Sequence, residues 1–180
     1  MLRGLRLGSF AMAVAAQPNA VVLDGDPVTV TGLRVWGIGD PRYTPDRQQG
    51  LDREAQAERA AAFAPSVATQ LHDDAPLGTV DVALVHDERI AADLGFQVPL
   101  VLAGHRHEHR QDTIGEALLH VEASTGGAGL RALDAEEPEP LSCSILYFDA
   151  TSDRLRPRGR RRARWYGRPD RVARLAEAIG

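Results

Sequence analysis

Two short apolar runs, residues 80–85 and 98–103, constrain the fold of this chain more than any other feature of its sequence. Each run is apolar at most positions instead of at alternate ones, which is typical of strands buried on both faces of a sheet. Residues 88–94, which lie between them, indicate a short helical connection. The sequence therefore predicts an α/β fold in which both runs are strands inside a sheet.

A histidine motif ends each of these runs. His86 and Asp87 follow the first run, and the second ends in Gly-His-Arg-His at residues 104–107. Ligand sites in open α/β sheets gather beyond the carboxyl ends of strands, so we expect both motifs at one crevice. Imidazole is the commonest nitrogen ligand of transition metals. The alternative is a polar loop that happens to contain histidines.

The spacing of the second motif favours a metal site. Alternate residues of an extended segment point the same way, and Gly104 permits a tight turn at the strand end. His105 and His107 are therefore expected to face one pair of metal ions. His109 continues the alternation and is either a group just outside the metal ligands or a chance neighbour. The remaining two histidines, at positions 72 and 120, receive no role.

The rest of the chain alternates between shorter strand signals and one long helical segment. Pro65 is expected to break or kink that helix, which covers residues 51–71. A hairpin is predicted between residues 20–23 and 28–30, because Asp-Gly-Asp-Pro separates them. Further strands are predicted at residues 33–38, 117–121 and 144–148.

Both ends of the chain differ in composition from its centre. Residues 1–18 are expected to be a leader or a helix that is too short to span a membrane. Residues 154–180 form an arginine-rich tail, with eight arginines and no acid between positions 154 and 168. That tail is a disordered segment, a frameshifted end or a single-strand nucleic-acid binder. The net charge of −4 gives no general attraction to nucleic acid.

Residues 84–87 and 104–107 resemble, in order and separation, the last two ligand motifs of the calcineurin-like metallophosphoesterases. Three further stretches are similar to one bacterial branch of that family, and the resemblance covers about residues 13–156. It implies the carboxy-terminal part of a metallophosphoesterase domain over residues 19–153. The fold it implies is a partial sandwich of mixed β-sheets flanked by helices, with the amino-terminal half missing. The three further stretches are residues 19–25, 37–46 and 124–129.

The resemblance also implies a metal-dependent phosphoric ester hydrolase. His86 and His105 would bind the second of two divalent ions, Mn, Fe or Zn, and His107 would bind the first. The substrate would be a small phosphoester or a phosphoprotein. Residues that would contact phosphate or lie just outside the metal ligands are Asp40, His109, Ser124, Thr125 and Gly126. A turn before Pro41 and a plain glycine turn are the alternatives for Asp40 and for the Ser124 loop.

The other motifs of that family are absent from the sequence. No aspartate is followed two positions later by histidine, and the only asparagine is Asn19. No catalytic histidine is found, and the chain is expected to be a truncated fragment without substantial turnover. The alternatives are a non-catalytic metal-binding or partner-binding remnant and a nucleic-acid-binding protein. A cytoplasmic location is expected for this chain, and membrane association if an amino-terminal region is missing.

Overall fold

The computed structural model describes residues 9–40, 53–123, 141–149 and 156–165. Two α-helices are present in this part of the chain, α1 (Ser9–Ala15) and α2 (Arg53–Asp74). None of its helices is long and apolar enough to cross a membrane. Two 3₁₀ helices follow one another at Glu88–Ile90 and Ala92–Leu94. The strands are β1 (Val28–Val30), β2 (Leu33–Gly37), β3 (Val82–Asp87), β4 (Leu100–Gly104), β5 (Arg110–Ile114), β6 (Ala117–Val121), β7 (Leu141–Asp149) and β8 (Arg156–Trp165).

Six of the strands form one mixed sheet in the order β1-β2-β3-β4-β6-β5. The central strands β2, β3, β4 and β6 run parallel, whereas β1 and β5 are antiparallel to their neighbours at the two edges. β7 and β8 pair antiparallel in a separate two-stranded sheet. The predicted α/β class with a mixed sheet is thus confirmed. Both apolar runs are parallel neighbours at its centre, as β3 and β4.

The hydrophobic core lies between α2 and one face of the six-stranded sheet. α2 contributes buried residues at helical spacing, and the 3₁₀ helices add Ile90 and Leu94. Trp36 on β2 is fully buried in this cluster, and its Nε1 donates a hydrogen bond to Asp74 Oδ2 over 3.3 Å. The helix residues are Ala60, Ala64, Val67 and Leu71, and the strand residues on this face include Ala83, Val85, Val101, Ala103, Leu119 and Val121.

α2 continues through Pro65, and the predicted break at this residue is therefore wrong. Proline removes one backbone donor from a helix, which leaves the carbonyl four residues earlier without its usual partner. Pro65 is exposed, so water can bond to that turn of the helix. Ser66 Oγ donates to the carbonyl of Phe63 (2.7 Å), and Thr69 Oγ1 donates to that of Pro65 (2.9 Å). The buried face of the helix spans this turn and holds it against the sheet.

The hairpin at the start of the sheet pairs β1 with β2, and not with residues 20–23 as predicted. Thr31 and Gly32 form its two-residue turn with positive φ angles of 49° and 91°. Such turns suit the right-handed twist of paired strands, so the hairpin forms through this short connection and not through the longer Asp-Gly-Asp-Pro segment. Residues 20–23 have no regular structure.

Part of the arginine-rich segment, for which the sequence predicted a tail, is a strand. β8 pairs with β7 over a register that runs from Leu141↔Trp165 to Asp149↔Arg156, with an irregularity between Tyr147 and Phe148. The composition of residues 154–168 does not predict a strand. The strand forms because it pairs with β7, whose alternating apolar residues favour a β-strand. The predicted strand at residues 144–148 is confirmed as part of β7.

Candidate metal centre

Parallel pairing of β3 with β4 brings His86 and His105 together. His86 is the last residue but one of β3, and His105 follows the end of β4, whose Gly104 pairs with Asp87. Nδ1 of His105 lies 3.1 Å from Nε2 of His86, and the ring centroids are 4.9 Å apart at 65°. Two nitrogen ligands of a tetrahedral zinc ion lie about 3.4 Å apart for Zn–N bonds of about 2.1 Å. The observed separation is close to that value, and in the absence of an ion it is the distance of a hydrogen bond between the two rings.

The backbone after β4 differs from the extended segment that the sequence predicted. His105 and His107 both have positive φ angles, 74° and 59°, whereas Gly104 does not. Histidine is among the residues that adopt this conformation, although at some cost in strain. The expectation that alternation in an extended segment aligns His105 with His107 is therefore wrong. A tight bend directs His105 toward His86, and His107 lies exposed in the same bend.

An ion pair that sequence reasoning missed fixes this bend. Arg106, between the two histidines, donates from Nε to Oε1 of Glu88 over 2.9 Å. Glu88 lies in the 3₁₀ helix directly after β3, and its side chain is only 5% exposed. The pair ties the segment after β4 to the segment after β3. The sequence signals for this ion pair are Glu88, directly after His-Asp, and Arg106, inside Gly-His-Arg-His.

A second ion pair holds the end of β3. The Asp87 carboxyl is fully buried, and Arg89 donates to it from its backbone N (3.0 Å), from Nε (2.9 Å) and from Nη2 (2.7 Å). Burial raises the pKa of Asp87, but the hydrogen bonds and the charge of Arg89 outweigh it and bring the pKa to about 2. Asp87 is thus ionised at neutral pH and fixes the backbone next to His86.

The electrostatic surroundings keep His105 available as a metal ligand. Burial lowers its pKa, the Asp87 carboxylate raises it, and the nearby His86 and Arg89 lower it again. The net result is a pKa below the usual 6.5. The imidazole is therefore neutral at pH 7, which is the form that coordinates a metal ion.

The other predicted site residues lie at varying positions. Asp40 is half-buried, three residues beyond the end of β2, and β2 runs parallel to β3, so Asp40 lies toward the same edge of the sheet as His86. His109 packs against His120 instead, with ring centroids 5.1 Å apart. Ser124, Thr125 and Gly126 lie outside the described residues.

A cavity of about 360 Å³ lies at the amino-terminal ends of the parallel strands, opposite the histidines. Its walls are formed by the residues that precede β3, β4 and β6, including Leu77, Phe96 and Glu116. Because these strands are parallel, their starts lie away from the histidines at their ends. The cavity is therefore not part of the candidate metal centre.

No family model matches the chain, and comparisons with curated proteins and with solved structures find no match. Two imidazole nitrogens 3.1 Å apart suit a divalent transition ion, which favours nitrogen ligands more than Mg or Ca does. A catalytic zinc site has at least three protein ligands and an open position.

Proposed function

We propose that His86 and His105 bind a divalent transition metal ion, Zn, Mn or Fe, in a metallophosphoesterase-type centre. The observation that supports this best is the 3.1 Å separation of their ring nitrogens at the ends of two parallel strands. The order of the histidine motifs along the chain supports the same family. In this proposal His107 is the ligand of a further ion, and the six-stranded sheet is part of the family's sandwich.

The class of reaction is hydrolysis of a phosphoester, either a small molecule or a phosphoprotein. When bound, a pair of divalent ions supplies Lewis-acid stabilisation of the charge that develops on a phosphoryl group. The protein's part is to hold the imidazoles at fixed positions, through the Asp87–Arg89 and Glu88–Arg106 pairs. Asp40, three residues beyond the end of β2, lies toward the same end of the parallel strands as His86.

This chain on its own is proposed to bind metal without substantial turnover. A two-metal centre holds its ions about 3.5–4 Å apart, which takes bridging and terminal ligands on both. The sequence contains no Asp-x-His motif and only one asparagine, so it lacks the usual bridging aspartate and amide ligand. Three imidazoles cannot fix two ions at that separation.

Calorimetric titration with Zn²⁺ and Mn²⁺ tests the metal site. We expect the His86→Ala/His105→Ala double variant to lose one equivalent of bound metal relative to the unmodified chain. His72→Ala is the matched control, because this histidine is exposed in the last turn of α2. Equal binding by the double variant and the unmodified chain would remove His86 and His105 from the proposal.

Hydrolysis of an aryl phosphate and an aryl phosphodiester in the presence of Mn²⁺ tests the second part. We expect rates no higher than those with Mn²⁺ alone. Turnover that His86→Ala abolishes would show that the chain is catalytically competent without the missing motifs. That result would retain the metal centre and reject only the claim of inactivity.

A further inference from the structure

A second cluster of metal-ligand side chains lies where β6 ends and β5 begins. His120 is the fourth residue of β6, Glu122 follows the end of β6, and His109 precedes β5. One ligand atom from each of the three lies within 4.8 Å of the other two. We propose that His109, His120 and Glu122 form a second, separate site for a divalent transition metal ion.

The distances inside this cluster fit a single ion. Nε2 of His120 lies 3.2 Å from Oε2 of Glu122, and Nδ1 of His109 lies 3.7 Å from Oε1 of the same carboxylate. Ligand atoms of a tetrahedral zinc ion are separated by about 3.4 Å, given bonds of about 2.0–2.2 Å. The two distances, each to a different oxygen of the carboxylate, lie on either side of that value, and one ligand atom from each residue lies within 4.8 Å of the other two. Two imidazoles and one carboxylate also form a known catalytic zinc ligand set, which leaves the fourth position open.

Burial holds these ligands in place before any ion binds. The side chains of His109 and His120 are 9% and 4% exposed, and that of Glu122 is 25% exposed. The backbone N of Ala123 donates to Oε1 of Glu122 over 2.9 Å, which orients the carboxylate. Side chains that are already restricted lose less conformational entropy when they bind an ion.

Gln111 is the positioning residue of the site. It lies directly opposite His120 in the β5–β6 register, with its Nε2 3.0 Å from Nδ1 of His120. Histidines that bind metals through one ring nitrogen donate a hydrogen bond from the other. The side-chain amide of glutamine can present its oxygen as well as its NH₂ group, so Gln111 can accept that bond once Nε2 of His120 binds the ion.

The second site is distinct from the pair formed by His86 and His105. β4 lies between β3 and β6, so His86 and His120 are two strand spacings apart, about 10 Å. The ions of a two-metal centre are about 3.5–4 Å apart. The His109 cluster shares no ligand with the His86–His105 pair, so the second site does not depend on that proposal.

The alternative explanation of this cluster is a network of hydrogen bonds that only stabilises the fold. His120 bridges Gln111 and Glu122, and this arrangement satisfies both ring nitrogens without an ion. The two explanations differ in their dependence on metal. If the hydrogen bonds serve only the fold, these three residues bind no zinc. If they form a metal site, they bind zinc, and removal of one ligand weakens that binding.

The test measures bound Zn²⁺ by equilibrium dialysis in the His86→Ala/His105→Ala background, which lacks the first pair. We expect one equivalent to remain bound. Glu122→Gln and His109→Gln in that background should each weaken its affinity at least as much as the loss of an outer hydrogen-bond partner does, about 10–100-fold. Gln111→Ala should weaken it by about 10–100-fold, and Gln111→Glu should restore it because it returns an acceptor. His72→Ala is the matched control and should change nothing.

Loss of all zinc binding in the His86→Ala/His105→Ala background would overturn the proposal, as would an unchanged affinity in Glu122→Gln. Circular dichroism in chelator establishes that each variant is folded. His109 lies just before the β5–β6 register, which begins at Arg110, so His109→Gln decides the question if Glu122→Gln disturbs the fold. Glu122→Gln in the otherwise unmodified chain should keep the ion at His86 and His105, which separates failure here from failure of the proposed function.

Discussion

The ion pair between Asp87 and Arg89 gives a stability prediction that can be worked out from the structure. Asp87 follows His86 at the end of β3, and Asp87→Asn keeps its shape while removing its charge. The fully buried carboxylate accepts hydrogen bonds from the backbone and the guanidinium of Arg89, which is 16% exposed. Substitution therefore leaves a guanidinium with one weaker acceptor in place of an ionised partner.

The size of the effect follows from the pKa. A fall from the ordinary 3.8 to about 2 in the folded protein corresponds to a stabilisation of about 2 kcal/mol at neutral pH. Solvent reaches Arg89, and screening reduces the contribution of the pair to about 1–2 kcal/mol. We therefore expect Asp87→Asn to lower the free energy of unfolding at pH 7 by about 1–2 kcal/mol.

The same pair has a defined pH dependence. Since the pKa of Asp87 is lower in the folded than in the unfolded protein, its contribution is complete above the ordinary value of 3.8 and is lost as the pH falls toward 2. The difference between the unmodified chain and Asp87→Asn should therefore shrink by about half at pH 3.

Urea unfolding in chelator, followed by circular dichroism at pH 7 and at pH 3, measures both effects without a contribution from metal. Asp73→Asn is the control, because Asp73 is exposed in the last turn of α2. Equal stabilities of Asp87→Asn and the unmodified chain at pH 7 would refute the reasoning. So would a difference that stays the same size at pH 3.

Two further substitutions test the packing and the bend after β4. Gly95→Ala should cost about 1–3 kcal/mol in urea unfolding, because a Cβ there would overlap the backbone carbonyl of Ile114; Gly39→Ala, which has no neighbour within 4 Å, should be nearly neutral, and equal effects would contradict this. Arg106→Ala should cost about 1–3 kcal/mol, because it leaves the buried carboxylate of Glu88 without its partner. It should also weaken zinc binding in calorimetry, and unchanged affinity would show that the ion pair does not position the histidines.

The sheet was predictable to the extent that its strands are buried on both faces. Apart from His86 and Asp87 at the end of β3, the residues of β3 and β4 are apolar or glycine. Strands with this pattern lie inside a sheet, whichever strands are their neighbours. The partner of β1 was not predictable in the same way, because two candidate turns lie within ten residues of each other. The register decides between them, because Val30 pairs with Leu33 and leaves Thr31 and Gly32 as the two-residue turn.

The candidate sites show the same division. His86 and His105 could be predicted to meet, because parallel neighbouring strands end at one edge of the sheet. The path of the chain after Gly104 could not, since it depends on a salt bridge between Arg106 and Glu88 that forms only once both strands are in place. His120 was missed because its neighbours in β6 are apolar, a pattern typical of a core histidine.

The directions of the strands explain why two histidine clusters lie at the same end of the sheet. β3, β4 and β6 are parallel and end there, and β5 begins there because it is antiparallel to β6. The segment from residue 105 to residue 109 joins the two clusters, with His105 in the first and His109 in the second. Near its start, Arg106 binds Glu88, whereas at its other end His109 lies against His120 and Glu122. A change at Arg106 therefore frees the end of this segment that carries His105 more than the end that carries His109, which β5 and β6 continue to hold.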